Sequence, residues 1–266
     1  MSTYREFAPP DALAPYVRCA WEQRIGDAPR PYEQPVFPDG CIDLVADDHG
    51  AFVAGPATGP AVVTMPARSI TVGVRLRRGA APAILDAGAQ NLLDVNVSFE
   101  DVWERDGAAT AGRVRDESPD RRLPTLLDFI SARLDLNAGI DREVATATAL
   151  LEAQPDHSLD DLCDATNLSA RQLRRRVVDA VGYSPRLLGG ILRFQRFLRV
   201  ARGAQPEDRD LARLAVETGY ADQPHLTREC RRFSGLSPAA LFAEEARRLG
   251  APEGAWPEPS RPAAVA

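Results

Sequence analysis

Two clusters of arginine, mixed with amide and hydroxyl side chains, lie in the last hundred residues of the chain. The first cluster consists of Arg171, Gln172, Arg174 and Arg175. The second consists of Gln223, His225, Thr227, Arg228, Arg231 and Arg232. Arginine pairs with phosphate and donates two hydrogen bonds to guanine, glutamine can read adenine, and threonine can contact a base or the thymine methyl. These residue types suit double-stranded DNA, although a charge run by itself is also compatible with a solvated helix face.

Residue types that bind metals or carry out catalysis are scattered along the chain. The four cysteines, Cys19, Cys41, Cys163 and Cys230, include no CxxC pair, and His49 is the single histidine in the first 150 residues. A metal site needs clustered histidine, cysteine and carboxylate ligands. The sequence also lacks a nucleophile and base at a catalytic spacing and a glycine-rich phosphate loop. We therefore expect no catalytic residue, no metal and no cofactor.

The composition is typical of a folded, water-soluble protein, but the charge is unevenly distributed. The chain has 266 residues, 44% of them hydrophobic and 26% charged, which is ordinary for a globular protein. No apolar stretch is long enough to span a membrane and no signal peptide is evident, so we expect a cytoplasmic protein that does not engage a membrane. Residues 1–155 hold 15 arginines and 23 acidic residues, whereas residues 156–250 hold 16 and 13. This asymmetry indicates two domains, the second of which suits a polyanion.

An internal repeat predicts the helices that carry the two polar clusters. The sequence GYSP at residues 182–185 recurs as GLSP at residues 235–238, an offset of 53 residues. In each copy a short helix, over residues 159–166 or 210–218, precedes a tight turn and a second helix. Helix, turn and helix of this size form the helix-turn-helix layout.

Capping residues fix where the second helix of each copy begins and ends. Ser169 and Asp222 are the predicted N-caps, and Gly182 and Gly235 are the predicted C-terminal stops. A long helix over residues 185–203 joins the two units. The polar clusters then fall on the N-terminal halves of the second helices, where a recognition helix meets base edges.

Both copies resemble the AraC/XylS family of bacterial transcription regulators. The resemblance is carried by SARQLRRR at residues 169–176, LAVETGYADQPHLTRE at 214–229 and RFSGLSP at 232–238, and it covers about residues 156–245. It implies two helix-turn-helix units joined by a long helix, with promoter or operator DNA and RNA polymerase as partners. Carried over position by position, the base-reading residues are Arg171, Arg174, Arg175, Gln223, Thr227 and Arg228. Pro224 stands where a second polar contact is usual in the family.

The first 110 residues are predicted to be rich in β-structure. Short β-branched runs at residues 41–45, 51–53 and 69–76 are separated by proline and glycine turns, which favours a small barrel or sandwich. This half more loosely resembles the cupin-like β-barrel sensor domains attached to the same family, through PDGCIDLV at 38–45, GPAT at 55–58 and GVR at 73–75. The resemblance implies a small-molecule effector inside the barrel.

Aromatic and polar side chains supply candidates for the lining of this effector pocket. The candidates are Trp21, Phe37, Cys41, Phe52 and Arg75. Core packing is the alternative for the aromatic side chains, a buried thiol for Cys41, and a solvated face for Arg75.

The predicted fold class is α+β: an N-terminal cupin-like β-barrel, a helical connection, and an all-α double helix-turn-helix domain. The domain boundaries are as follows: sensor 1–110, connection 111–155, DNA-binding domain 156–250 and disordered tail 251–266. Within the connection, residues 105–122 are predicted to be flexible, and residues 123–136 and 141–154 to be helical. These two helices form either a homodimer seam or a lid on the barrel.

Two functions compete on this evidence. The first is a sequence-specific DNA-binding transcription regulator controlled by an effector in the barrel. The second is a small-molecule binding module or cupin-type enzyme whose helical half serves for interaction. The missing catalytic constellation counts against the second.

Overall fold

The structure is a computed structural model that describes residues 2–85, 87–134, 139–203 and 209–250, without the side chains of residues 248–250. The predicted disordered tail, residues 251–266, lies outside the described residues. No helix in the described ranges is long and apolar enough to cross a membrane.

Antiparallel strands make up most of the N-terminal part. They are β1 (Ser2–Phe7), β2 (Val17–Ile25), β3 (Tyr32–Val36), β4 (Asp43–Asp47), β5 (Gly50–Ala54), β6 (Ala61–Met65), β7 (Ile70–Leu76) and β8 (Asn96–Ser98). The main sheet has the strand order β1-β2-β7-β4-β5-β8, and β3 pairs with β6 in a separate ribbon. The strands predicted from the three β-branched runs are confirmed as β4, β5 and β7. The alternation along β7 buries Val72, Val74 and Leu76 in one core and leaves Arg75 for the opposite face.

The predicted closed barrel is wrong, because the sheets stay open. β1 and β8 are the two edges of the main sheet, and in the described part of the chain no ladder joins that sheet to the β3–β6 ribbon. Two helices, α1 (Phe99–Asp116) and α2 (Pro119–Arg133), pack on β4, β5 and β7. Since these helices bury the apolar face of the sheet, the fold removes that face from water without closing the sheet.

The remaining helices follow in chain order. They are α3 (Arg142–Ala153), α4 (Leu159–Thr166), α5 (Ala170–Val181), α6 (Pro185–Gly203), α7 (Leu211–Glu217), α8 (Gln223–Ser234) and α9 (Pro238–Gly250).

The prediction of a flexible connection at residues 105–122 is wrong, because α1 and α2 occupy most of it. The charged residues of this stretch mask a helix face on which Val114 is fully buried. Arg122 is buried as well, and its guanidinium donates to the carbonyl oxygens of Val114 and Ile70 and to Asp48. A buried guanidinium with several acceptors anchors the start of α2 to the sheet.

Two hydrophobic cores divide the chain between α2 and α3. The first core runs from Leu13 to Ile130 and holds the sheet with α1 and α2. The second runs from Val144 to Leu241 and holds α3 with the later helices. The two helices of the predicted connection therefore belong to different cores. The homodimer seam stays a prediction.

Candidate nucleic-acid interface

The first unit consists of α4, a tight turn and α5. Ser169 begins α5 as predicted: its hydroxyl accepts from the Gln172 amide, and Gln172 Oε1 accepts from the Ser169 amide at 3.1 Å. The helix ends at Gly182, where φ is +87°, a conformation that favours glycine. Leu173 is fully buried, so the exposed positions on either side of it point away from the core.

The second unit repeats this construction with α7 and α8. Asp222 Oδ1 accepts from the His225 amide at 2.7 Å, which confirms the predicted cap. Gly235 ends α8 with φ of +74°. Leu226 is fully buried, as is its counterpart Leu173 in the first unit, so the two recognition helices present equivalent faces.

The helix α6 joins the two units without a break over Pro185–Gly203. Its adjacent glycines are explained by close contacts. A β-carbon on Gly189 would lie 2.8 Å from the Pro155 carbonyl oxygen, and one on Gly190 would lie 3.2 Å from Glu229 Oε1. Glycine therefore lets α6 approach the preceding turn and the second recognition helix closely.

Exposed arginines without ion pairs line the N-terminal half of α5. Arg171, Arg174 and Arg175 are all exposed, and among the described residues none of them forms a salt bridge. Gln172 is exposed too, but its Oε1 is already occupied by the cap at Ser169. The three guanidinium groups are therefore free to bind an external anion.

The face of α8 is similar but less densely charged. Gln223, Arg228 and Arg231 are exposed and Thr227 is half-buried. Within the described ranges, Arg228 and Arg231 have no salt bridge. The guanidinium of Arg232 lies 5.2 Å from the ring of its neighbour Phe233, a cation–π distance that leaves its donors available.

His225 is occupied at the start of α8. Its Nδ1 accepts from the Ala221 amide at 3.4 Å, and its ring packs edge-on against Tyr220 at 5.2 Å. Its Nε2 lies 3.9 Å from Glu229 Oε1. This geometry favours a role for His225 at the start of the helix over a contact with DNA.

Other arginines of this domain hold helices together. Arg193 of α6 pairs with Glu229 of α8 at 3.0 Å. Arg202 of α6 pairs with Glu245 of α9 at 2.9 Å. No local spacing in the sequence reveals partners so distant in the chain.

Arg176 is a third paired arginine, although it lies next to the exposed arginines of α5. It contacts Asp141 and Glu143 at the start of α3, at 3.2 and 3.1 Å. The helix α5 therefore carries three free guanidinium groups and a fourth that connects it to the start of α3.

Cys230 lies behind the second recognition helix as a neutral thiol. Its side chain is fully buried, and burial raises its pKa to about 11. Its sulfur lies 3.6 Å from the Ser234 hydroxyl. Cys230 therefore packs on the inner face of α8.

Three of the predicted effector residues share one face of the main sheet. Trp21 and Phe52 lie in a small apolar cluster with Cys19 and Val45. Arg75 reaches this cluster through Asp43, whose carboxylate accepts from the Trp21 indole at 3.3 Å and from Arg75 at 2.9 Å.

The other two predicted effector residues lie elsewhere. Phe37 packs edge-on against Phe194 of α6, with ring centroids 5.9 Å apart. Cys41 is buried, and burial raises its pKa. A cleft of about 350 Å³ is lined by other residues, including Asp141, Arg176 and Asp179. The effector pocket therefore stays a prediction.

Two family matches cover separate parts of the chain. Residues 162–244 match a family described as a helix-turn-helix domain. Residues 5–98 match a family described as a domain of unknown function, DUF6597. No curated protein matches the chain.

Several solved structures are similar to all or part of the chain. A probable AraC family transcriptional regulator from Rhodopseudomonas palustris is 21% identical over 39% of this chain and 97% of its own, with a TM-score of 0.35. The DNA-binding domain of AdpA, solved with a target DNA, is 25% identical over 43% and 100%, with a TM-score of 0.37. ToxT from Vibrio cholerae is 10% identical over 91% and 96%, with a TM-score of 0.40.

The helix-turn-helix match covers both units described above, from α4 to α9. It confirms the predicted helix-turn-helix domain. The N-terminal match assigns the sheet domain to a family without a known function, and a cupin relationship is not part of it. The chain thus carries a C-terminal region, residues 162–244, that matches a helix-turn-helix domain family, behind an N-terminal region, residues 5–98, that matches the DUF6597 family.

Proposed function

We propose that this protein reads a specific double-stranded DNA sequence and regulates transcription from it. The observation that carries the proposal is the division of the arginines in the helical domain. Those on the outer faces of α5 and α8 are exposed and have no ion pair among the described residues, whereas Arg176, Arg193 and Arg202 are held by carboxylates. Unpaired guanidinium groups on two helices of equivalent construction suit the major groove.

We assign base reading to the first two turns of each recognition helix. In α5 the readers are Arg171, Arg174 and Arg175. In α8 they are Gln223, Thr227 and Arg228, followed by Arg231 and Arg232 one turn later as phosphate ligands. Arginine offers a bidentate fork to guanine, and Gln223 offers the amide pair that matches adenine. Pro224 has no side-chain donor, so it contributes no hydrogen bond.

A salt titration of the full chain tests this proposal. The probe is the promoter DNA upstream of the protein's own gene, compared with a scrambled duplex of equal length. Preference for the native sequence, with affinity that falls steeply as salt rises, is the expected result. Arg175→Ala and Arg228→Ala should each weaken specific binding by about 1–3 kcal/mol, while Arg121→Ala, an exposed arginine on α2, is the matched control. If neither variant differs from the control on a duplex that the protein prefers, the assigned readers are wrong.

We further propose that the N-terminal domain senses a small molecule and controls DNA binding by population shift. The residues that would transmit the signal are 37–41, which connect the Arg75 face of the sheet to the helical domain. Asp39 lies 3.5 Å from Arg75. Its carbonyl oxygen accepts from Arg78, which also pairs with Glu152 of α3.

The same segment reaches α6 directly. The carbonyl oxygen of Pro38 accepts from Gln195 Nε2 at 2.6 Å, and Phe37 packs on Phe194. A ligand that displaces Arg75 from Asp39 would therefore move a segment that touches α3 and α6. A ligand can shift an equilibrium only by its differential affinity for the two states. In this proposal the two states are the one in which these contacts are intact and the one in which they are broken.

Disconnecting the segment tests this control. Phe37→Ala removes the ring contact with α6, and Gln195→Leu removes the hydrogen bond to Pro38. In the full chain, both variants should change DNA affinity in the direction that the effector changes it, and both should reduce the response to effector. An unchanged effector response in both variants contradicts the proposed route.

A homodimer and a contact with RNA polymerase are further proposals, and light scattering of the full chain tests the first of them.

A further inference from the structure

The loop at residues 55–60 is held firmly by the N-terminal domain. The Asp94 carboxylate accepts from the backbone amide and the hydroxyl of Thr58, at 2.6 and 2.7 Å. A β-carbon on Gly55 would collide with the carbonyl oxygen of Leu92, so the loop lies directly on the backbone of this domain. Its two prolines are therefore presented in fixed positions.

These prolines lie beside equivalent glycines, one at the end of each recognition helix. Cγ of Pro56 lies 2.6 Å from the place of a β-carbon on Gly182. Cγ of Pro60 lies 3.7 Å from the place of a β-carbon on Gly235. Gly182 and Gly235 are equivalent in the 53-residue repeat, and each one ends a recognition helix. One loop therefore packs against the end of the first recognition helix and lies beside the end of the second, where Pro60 and Gly235 are both exposed.

A hydrogen bond strengthens the contact with the first unit. The Tyr183 hydroxyl donates to the carbonyl oxygen of Ala57 at 2.6 Å, and the side chain is 1% exposed. The repeat places Leu236, which has no hydroxyl, at the equivalent position of the second unit. The loop therefore holds the first unit more firmly than the second.

We propose that the 55–60 loop is a brace that sets the relative orientation of the two recognition helices, and hence the spacing of the DNA segments that the protein can read. Each unit packs on α6, a helix whose centre contains the adjacent pair Gly189 and Gly190. Glycine lowers the intrinsic stability of a helix, which makes α6 easier to bend at its centre. A second connection between the units therefore limits their relative motion. This inference rests on the proposed DNA binding, but its structural part can be tested without DNA.

Spin-label distances test the brace directly in the full chain. One label is placed on Cys163, half-buried on α4, and the other on Ala212→Cys, exposed on α7. The other three cysteines are buried. Pro56→Ala with Pro60→Ala should broaden the distance distribution, and Tyr183→Phe should do so to a smaller extent. Pro29→Ala, in an exposed turn between β2 and β3, should leave the distribution unchanged.

Spacing dependence tests the consequence for DNA. The probe is a duplex selected by the wild-type protein from a random pool, with two base pairs inserted between its two contacted segments. Because about ten base pairs make one turn, this insertion rotates one segment by about 70° relative to the other. Wild-type affinity should fall by about tenfold or more, whereas the double proline variant should lose less than about threefold, since the released units can follow the rotated segments.

The outcomes separate the two proposals. If the wild-type protein selects no duplex, the proposed function fails, and the spin-label distances still decide the brace. If the double proline variant is folded by circular dichroism but matches the wild type in both the distance distribution and the spacing profile, the brace is overturned.

Discussion

Arg193 of α6 and Arg228 of α8 both lie in the helical domain, and the structure predicts different effects when each is replaced by alanine. Arg193 donates three hydrogen bonds to the two oxygens of Glu229, at 3.0 to 3.2 Å, and lies 5.1 Å from the Tyr220 ring. The Arg193 and Glu229 side chains are only 15% and 17% exposed. Arg228 is exposed and has no salt bridge within the described ranges. Arg193 should therefore matter for folding and Arg228 for DNA.

The magnitude for Arg193→Ala follows from what it leaves behind. Glu229 keeps a mostly buried charge, and His225 Nε2 lies 3.9 Å from its Oε1. Losing charged hydrogen bonds in such a setting costs about 2–3 kcal/mol, less than the full penalty of a completely buried pair. For a chain of this size, that corresponds to a fall of about 5–10 °C in the melting temperature. Arg228→Ala should change stability by less than about 0.5 kcal/mol.

Thermal unfolding and DNA titration of the same two variants form the assay. Each variant removes one positive charge, so the long-range electrostatic loss is similar for both. Arg228→Ala should raise the dissociation constant for the preferred duplex by about 5-fold to 150-fold. Replacing Arg193 and Glu229 together by methionine should recover stability relative to Arg193→Ala, since no unpaired charge is then buried. The reasoning is refuted if Arg193→Ala melts with the wild type and weakens DNA binding as much as Arg228→Ala.

Three further predictions test the packing and the charges of the fold. Leu173→Ala, which empties a fully buried position behind α5, should destabilise the protein by about 2–5 kcal/mol in chemical denaturation, and an effect below that range would contradict the core position. In a thiol-reactivity assay at pH 8, half-buried Cys163 should react first and Cys230, whose pKa is raised by burial to about 11, should react only on unfolding; equal rates would contradict this. Burial alone would raise the pKa of Asp39, but the neighbouring Arg75 and Arg78 hold this pKa below its ordinary value. The charged carboxylate therefore stabilises the protein above the unfolded pKa of about 3.9, and this stabilisation is lost as the pH falls through the folded pKa. Asp39→Asn should therefore be less stable than the wild type at pH 7, and the difference should shrink with acidification; a gap that persists at low pH would contradict the assignment.

The helical half could be predicted closely because its signals are local. The capping box at Ser169 and the glycine at 182 fix the ends of α5 within a few residues of sequence. The same holds for Asp222 and Gly235 around α8. The repeat then confirms each unit by the other, since two copies with matching caps are hard to obtain by chance.

The sheet half could not be predicted to the same depth, because its arrangement depends on distant pairings. Whether the sheet closes into a barrel depends on what covers its apolar face, and that cover is α1 and α2. The charged residues on α1 hid a helix that kinks at Trp103 and Glu104 and then buries Gly107, Thr110 and Val114. Phe37 likewise carries an aromatic side chain suited to a pocket, and only the tertiary fold places it against Phe194 of α6.

The arginines show most clearly where sequence reasoning ends. The chain has 32 positively charged residues and all of them are arginine, so residue type cannot separate readers of DNA from structural cations. Within α5, Arg175 is free while the adjacent Arg176 pairs with Asp141 and Glu143. An arginine that is held by a carboxylate must lose that partner before it binds phosphate, whereas a free one exchanges only water and counterions. The positions of the carboxylates, more than those of the arginines, therefore define which faces of this protein can meet DNA.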